Sequence, residues 1–126
     1  MNSITATAQS GLAAATLSLS AAAANIANAG DTSAIGASGY QPIAVDNSTT
    51  PGGGVAAQAV TLNSPPLVAY DPTSPVANAR GYLDAPEIDP ISEVSNTLAA
   101  GRAFASSVKV MKAADKDQQT LLDLKT

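Results

Sequence analysis

The first thirty residues carry no charged side chain, and this constrains the chain more than any other feature of its sequence. A helix free in water normally shows a charged face. This stretch is rich in Ala, the best helix former, and has no proline. It is therefore expected to form one helix from Asn2 to about Asn28, roughly 40 Å long. Small or apolar residues recur at Ala8, Leu12, Ala15, Leu19, Ala22, Ile26 and Ala29. Their spacing alternates between four and three, as in a coiled-coil seam. Leu12, Leu19 and Ile26 are the large members of that seam. The polar positions are uncharged Ser, Thr and Asn, which suits a helix covered all round by neighbours. A core helix of a small bundle is the plainer alternative. Gly30, between Asn28 and Asp31, is expected to end the helix.

At 126 residues the chain is at most one ordinary domain. Its hydrophobic fraction of 45% looks globular, but much of it is alanine, and Tyr40, Tyr70, Tyr82 and Phe104 are the only aromatic residues. A buried Leu or Phe contributes about 1.5–3 kcal/mol and Ala far less. A thin core is expected, with order gained by packing against other copies or partners. The net charge is −4, and all six basic residues lie at Arg80 or later. That distribution argues against nucleic acid and against an anionic membrane surface. Met1 to Ile4 lack the basic residues of a secretory leader, so no cleaved signal peptide is expected. No unbroken run of roughly 18 apolar residues occurs, so no direct membrane span is expected.

Residues 30–90 are rich in Gly, Pro, Ser, Thr and Asn. They read as a small insert of β-hairpins, with strands expected at 40–45, 55–62 and 67–70. A brief extended stretch is expected at Gly81-Tyr82-Leu83. Pro51-Gly52-Gly53-Gly54 is a turn between the first two strands, and Asp71-Pro72-Thr73-Ser74-Pro75 is another turn. A flexible linker is the alternative. From Ile91 to about Leu124 a second helix is expected, capped by Ser92 or Asp89, with Glu93 in its first turn. Its seam reads Ile91, Val94, Leu98, Gly101, Ala105 and Val108, then shifts, as at a stutter, through Met111, Ala114, Gln118 and Leu121 or Leu122. The fold class is α+β, mainly α. Two long terminal helices (1–29 and 91–126) pair as an antiparallel coiled coil, seam to seam, and bracket the insert (30–90).

Chemistry has little to work with. There is no cysteine and no histidine, which removes thiolate metal sites and the commonest general base. Asp84, Glu87 and Asp89 form the densest acidic cluster, but Pro86 and Pro90 break it up and its spacing matches no metal loop. They are expected on a solvated turn and at the start of the second helix. The glycines after Pro51 lack the Lys-Ser/Thr of a P-loop. No catalytic, metal or cofactor residue is therefore expected, and no enzyme. The tyrosines are expected to anchor the insert. Arg102 is the only charge in residues 94–108; it is either an exposed helix residue or half of a salt bridge to a neighbouring subunit.

The residues also carry a resemblance. Ala24-Asn25-Ile26-Ala27-Asn28 followed by Ser38-Gly39-Tyr40 resembles the N-terminal signature of flagellar axial proteins. The run from Ala69-Tyr70-Asp71-Pro72-Thr73-Ser74-Pro75 to Gly81-Tyr82-Leu83 resembles the central segment of the flagellar basal-body rod protein family, in its proximal type. Pro86-Glu87-Ile88-Asp89-Pro90, Ala99-Ala100-Gly101-Arg102-Ala103-Phe104 and Val110-Met111-Lys112-Ala113-Ala114 resemble later segments in the same order. The resemblance implies a structural subunit of the rod, exported unprocessed by the type III pathway. It would assemble helically in the periplasmic basal body, with other rod subunits and the export-gate base as partners. A coiled-coil protein exported by the same route that never polymerises is the alternative. The expected assembly interface comprises Leu12, Leu19, Ala22, Asn25, Ile26, Asn28, Leu98, Arg102, Ala105, Val108 and Met111.

Overall fold

The computed structural model describes residues 3–124. The expected start of the first helix at Asn2 lies outside the described residues. The order is α1 (Ser3–Asn28), β1 (Ile43–Thr49), β2 (Val55–Thr61), β3 (Leu67–Tyr70), β4 (Tyr82–Ala85) and α2 (Pro90–Asp123). Two long helices thus bracket two antiparallel hairpins, β1–β2 and β3–β4, which is the α+β, mainly α class expected from the sequence.

The helices run antiparallel. A Cβ placed on Gly11 would lie 3.0 Å from Ser107 Oγ, and Asn25 Nδ2 donates to Glu93 Oε1 at 3.0 Å. Gly11 to Asn25 and Glu93 to Ser107 are equal intervals along the two helices, so one register holds across both contacts. The pair closes on its smallest side chains. Ala8, Ala14, Ala15, Ala21 and Ala22 are buried on α1, and Ala100 and Ala114 on α2. Residues this small let two helices approach closely.

That packing corrects the expected seam. Its small members on α1, Ala8, Ala15 and Ala22, are buried, but Leu12 and Leu19 are only half-buried and Ile26 is exposed. On α2 the expected Ile91, Val94 and Leu98 point outward, 78%, 59% and 56% exposed, and Ala105 is exposed too. The face turned to α1 instead runs through Glu93, Thr97, Ala100, Ser107, Met111 and Ala114. That heptad spacing holds on both sides of Phe104, which falls in the pattern but is 38% exposed, so the pairing face needs no stutter. Extending the register sets Ser3 opposite Asp115, and Leu121, Leu122 and Leu124 sit exposed beyond the described start of α1.

The β1–β2 hairpin lies along α1. Its lower end is fixed by Asn25, which bonds both backbone groups of Ile43. At its upper end, Val55 N donates to Ser10 Oγ at 3.1 Å. Gly54 sits at φ +108°, and a Cβ there would lie 2.6 Å from Ser10 Oγ. Glycine is needed both for the left-handed turn and for the close approach to α1. β1 runs further than expected, because Asp46, Asn47, Ser48 and Thr49 pair with Gln58, Ala57, Ala56 and Val55. These polar residues are exposed, and the partner strand overrides their turn-like composition.

The core is thin, as the composition implied. Leu83, on β4, is the largest apolar side chain fully buried among the described residues; the other buried apolar side chains are alanines and the prolines Pro42 and Pro86. α1 is long and apolar enough, by length and composition, to cross a membrane, a property that a search for unbroken apolar runs overlooks. In this fold its alanine face is covered by α2.

Candidate assembly surface

Asn25 joins four parts of the chain. Its Nδ2 donates to Ile43 O at 2.8 Å and to Glu93 Oε1 at 3.0 Å. Its Oδ1 accepts from Ile43 N at 2.9 Å and from Tyr40 OH at 3.0 Å. The side chain is 2% exposed, and its full complement of two donors and two acceptors is met. A buried amide satisfied this way ties α1, the following loop, β1 and α2 into one arrangement. Tyr40 therefore anchors the hairpin as expected. Nothing local in the sequence pointed to Glu93 as a partner, since it reads simply as an acid in the first helical turn. The order Asn25, Gly39, Tyr40 was the available signal for the rest.

A second junction centres on Asp84. Ser33 N donates to Asp84 O at 2.8 Å, and Asp84 N to Ser33 O at 2.9 Å. The Asp84 carboxylate accepts from Gly36 N at 2.8 Å. Asp84 is buried on β4, which corrects its expected place on a solvated turn; a backbone bridge from the segment after α1 covers it. Asp89 does sit at the start of α2. It accepts from Ile91 N at 3.1 Å and from Ser92 Oγ at 2.6 Å. The Ser92 hydroxyl, then the Ile91 amide, hold its carboxyl below the usual value. Among the described residues no group of three or more acidic side chains is placed to hold a metal.

The loop between β3 and β4 is compact. Asp71 accepts from Thr73 Oγ1 at 2.6 Å and from Thr73 N at 3.0 Å, which lowers its carboxyl pKa, the hydroxyl contributing most. Asn78 Oδ1 accepts from Arg80 N and Tyr82 N. Gly81 closes the loop at φ +81°, where a Cβ would lie 2.8 Å from Tyr70 Cε2 and 3.0 Å from Pro72 Cβ. Tyr70 and Tyr82 meet edge to face, centroids 5.3 Å apart. Both rings are exposed, so they brace this loop at the surface.

The residues expected at an assembly interface divide in two. Ala22 and Asn25 are buried within the chain, and Leu12, Leu19, Asn28, Val108 and Met111 are half-buried. Ile26, Leu98, Arg102 and Ala105 are exposed. Leu98, Arg102 and Ala105 recur on one side of α2, facing away from α1. A second surface is the groove between α2 and the β1–β2 hairpin, floored by the small residues of α1.

Residues 79–124 match the family model described as flagellar basal body rod FlgEFG protein C-terminal. The flagellar basal-body rod protein FlgC of Salmonella typhimurium (strain LT2) is 32% identical over 108 residues, covering 81% of this chain and 81% of that protein. The chain belongs to the FlgC family of flagellar basal-body rod proteins. The FlgC proteins of Buchnera aphidicola (subsp. Acyrthosiphon pisum) and Bacillus subtilis (strain 168) are 38% and 39% identical over 63 and 46 residues. Those two matches cover less than half of each relative, 46% and 31%. As a member of this family, the chain is a structural component of the flagellar basal-body rod and assembles with other basal-body components. The motif around Asn25 and Tyr40 that first suggested the family is, in three dimensions, the junction between the helices and the hairpin.

Proposed function

We propose that the chain is a subunit of the proximal rod, assembling helically into the drive shaft and the wall of the export channel, without enzymatic activity. The observation that carries this reading is the placement of large apolar side chains. The helix pair is satisfied internally by alanines, while Ile91, Val94 and Leu98 stay outside on α2. An exposed apolar face of this kind calls for a covering partner. The uncharged surface of α1 supports the same reading, since no charge has to be desolvated when neighbours close over it. Export as an unprocessed chain by the type III route, periplasmic placement and contact with the export-gate base complete the proposal. The test is a deletion strain. Loss of swimming, with no rod in isolated basal bodies and recovery on complementation, is the expected result. Swimming at the parental level would refute the proposal and favour an exported protein that does not polymerise.

A further inference from the structure

The groove between α2 and the β1–β2 hairpin has a volume of about 710 Å³. Ala99 and Ala103 form its α2 wall and Ile43 and Val45 its hairpin wall. Glu93 is the one charged residue lining it. The Glu93 carboxylate accepts from Asn25 and, at 3.5 Å, from Asn96. Among the described residues it has no cationic partner. A carboxylate has about four acceptor positions, so it retains capacity for a cation. Arg102 is the complementary group. It is exposed, makes no ion pair or side-chain hydrogen bond among the described residues, and is the one charge in residues 94–108.

The chain cannot pair these two groups by itself. Nine residues separate Glu93 from Arg102 on α2, a rise of about 14 Å and about two and a half turns, so they lie on opposite sides of the helix. Groove and apolar face are thus on opposite sides of one molecule. Resting on the rod reading above, we propose that the Leu98, Arg102 and Ala105 face of one copy seats in the groove of a second copy, with the Arg102 guanidinium on the Glu93 carboxylate. The contact is heterologous. Each copy offers a face and a groove, so the interaction propagates without having to close into a dimer. The exposed Lys109 continues the face one turn beyond Ala105, and Asp46 is exposed on β1. Within the contact itself Glu93 is the one charge lining the groove and Arg102 the one charge in residues 94–108, so this pair sets the axial register. It also neutralises two charges that assembly removes from water.

The absence of native cysteine allows a direct test. Ala105→Cys with Ala44→Cys places one thiol on the face and one in the groove; Leu98→Cys with Asn47→Cys is an independent second pair. Each doubly substituted chain, made as the sole copy, is oxidised in cells and basal bodies are isolated. Covalent dimers and higher multiples of the chain from a double variant, and from neither of its single variants, are expected. In a second arm, Glu93→Gln keeps the acceptor for Asn25. It and Arg102→Gln should each lower recovery of the chain in basal bodies several-fold, with the double variant no worse than either. Basal bodies containing the chain but yielding no multiples from either pair would overturn the inference and leave the rod reading standing. Cross-linking solely to a different protein, or dimers from one cysteine alone, would overturn it as well. Absence of the unsubstituted chain from basal bodies would instead sink the rod reading.

Discussion

Replacing Asn25 by alanine should uncouple the helices from the hairpin. The side chain makes four hydrogen bonds, to Ile43 N, Ile43 O, Tyr40 OH and Glu93 Oε1. A hydrogen bond contributes about 0.5–1.5 kcal/mol net, and a buried group left without a partner costs about 1–3 kcal/mol. Tyr40 and Glu93 are half-buried, so water can replace part of what they lose. The two backbone groups of Ile43 are held in place by the hairpin and have less freedom to turn to solvent. We therefore expect Asn25→Ala to cost about 2–4 kcal/mol, a large share of the roughly 5–15 kcal/mol that holds a typical domain together. Asn25→Asp should be at least as harmful at neutral pH, because it loses the donors and sets a carboxylate beside Glu93; acidification should relieve it. Urea unfolding of the purified chain, followed by far-ultraviolet circular dichroism, measures both effects. A change below about 0.5 kcal/mol for Asn25→Ala, the level of an ordinary surface substitution, would refute the idea that this residue joins the fold together.

Further expectations concern the surface and the loops. Gly81→Ala should cost about 1–2 kcal/mol for the left-handed backbone alone, and should displace the Tyr70 ring, seen as altered tyrosine ring shifts by NMR; unchanged shifts would count against the close contact. Leu98→Asp should leave monomer stability within about 0.5 kcal/mol of the parent, because the side chain is 56% exposed, yet abolish swimming; normal motility would remove this face from the assembly surface. Asp89 is held below its ordinary value of 3.8. Its contribution is therefore complete above that pH and is lost as pH falls through the lower folded value. Amide exchange in the first turn of α2 should rise below about 3.8, and Asp89→Ala should abolish that step; the same acid response in the variant would contradict the cap assignment.

The sequence made some features legible and hid others for identifiable reasons. Both helices could be placed because alanine content, the Asp89 cap and the glycine after Asn28 act locally. The hairpin turn at Pro51 was legible for the same reason. Periodicity misassigned the pairing face of α2 because it takes the largest apolar residues to be the most buried. Here the helices close on Gly11, Ser107 and alanines, and Leu98 is left outside. The burial of Asp84 depends on Ser33, and the role of Glu93 on Asn25. Both pairings join residues far apart in sequence, and no local pattern encodes them. Of the candidate surface, Leu98, Arg102 and Ala105 are expected interface residues from the sequence, but Leu98 and Ala105 fall in the seam meant for α1, and the groove exists only once the hairpin lies along α1.

A density map of the intact basal body, at a resolution that traces this chain, tests the central claim most directly. The account requires the chain to lie in the rod with the Leu98 side of α2 and the uncharged surface of α1 enclosed by neighbouring subunits. Finding those surfaces open to solvent along the assembled rod, or finding no copy of the chain there, would contradict it.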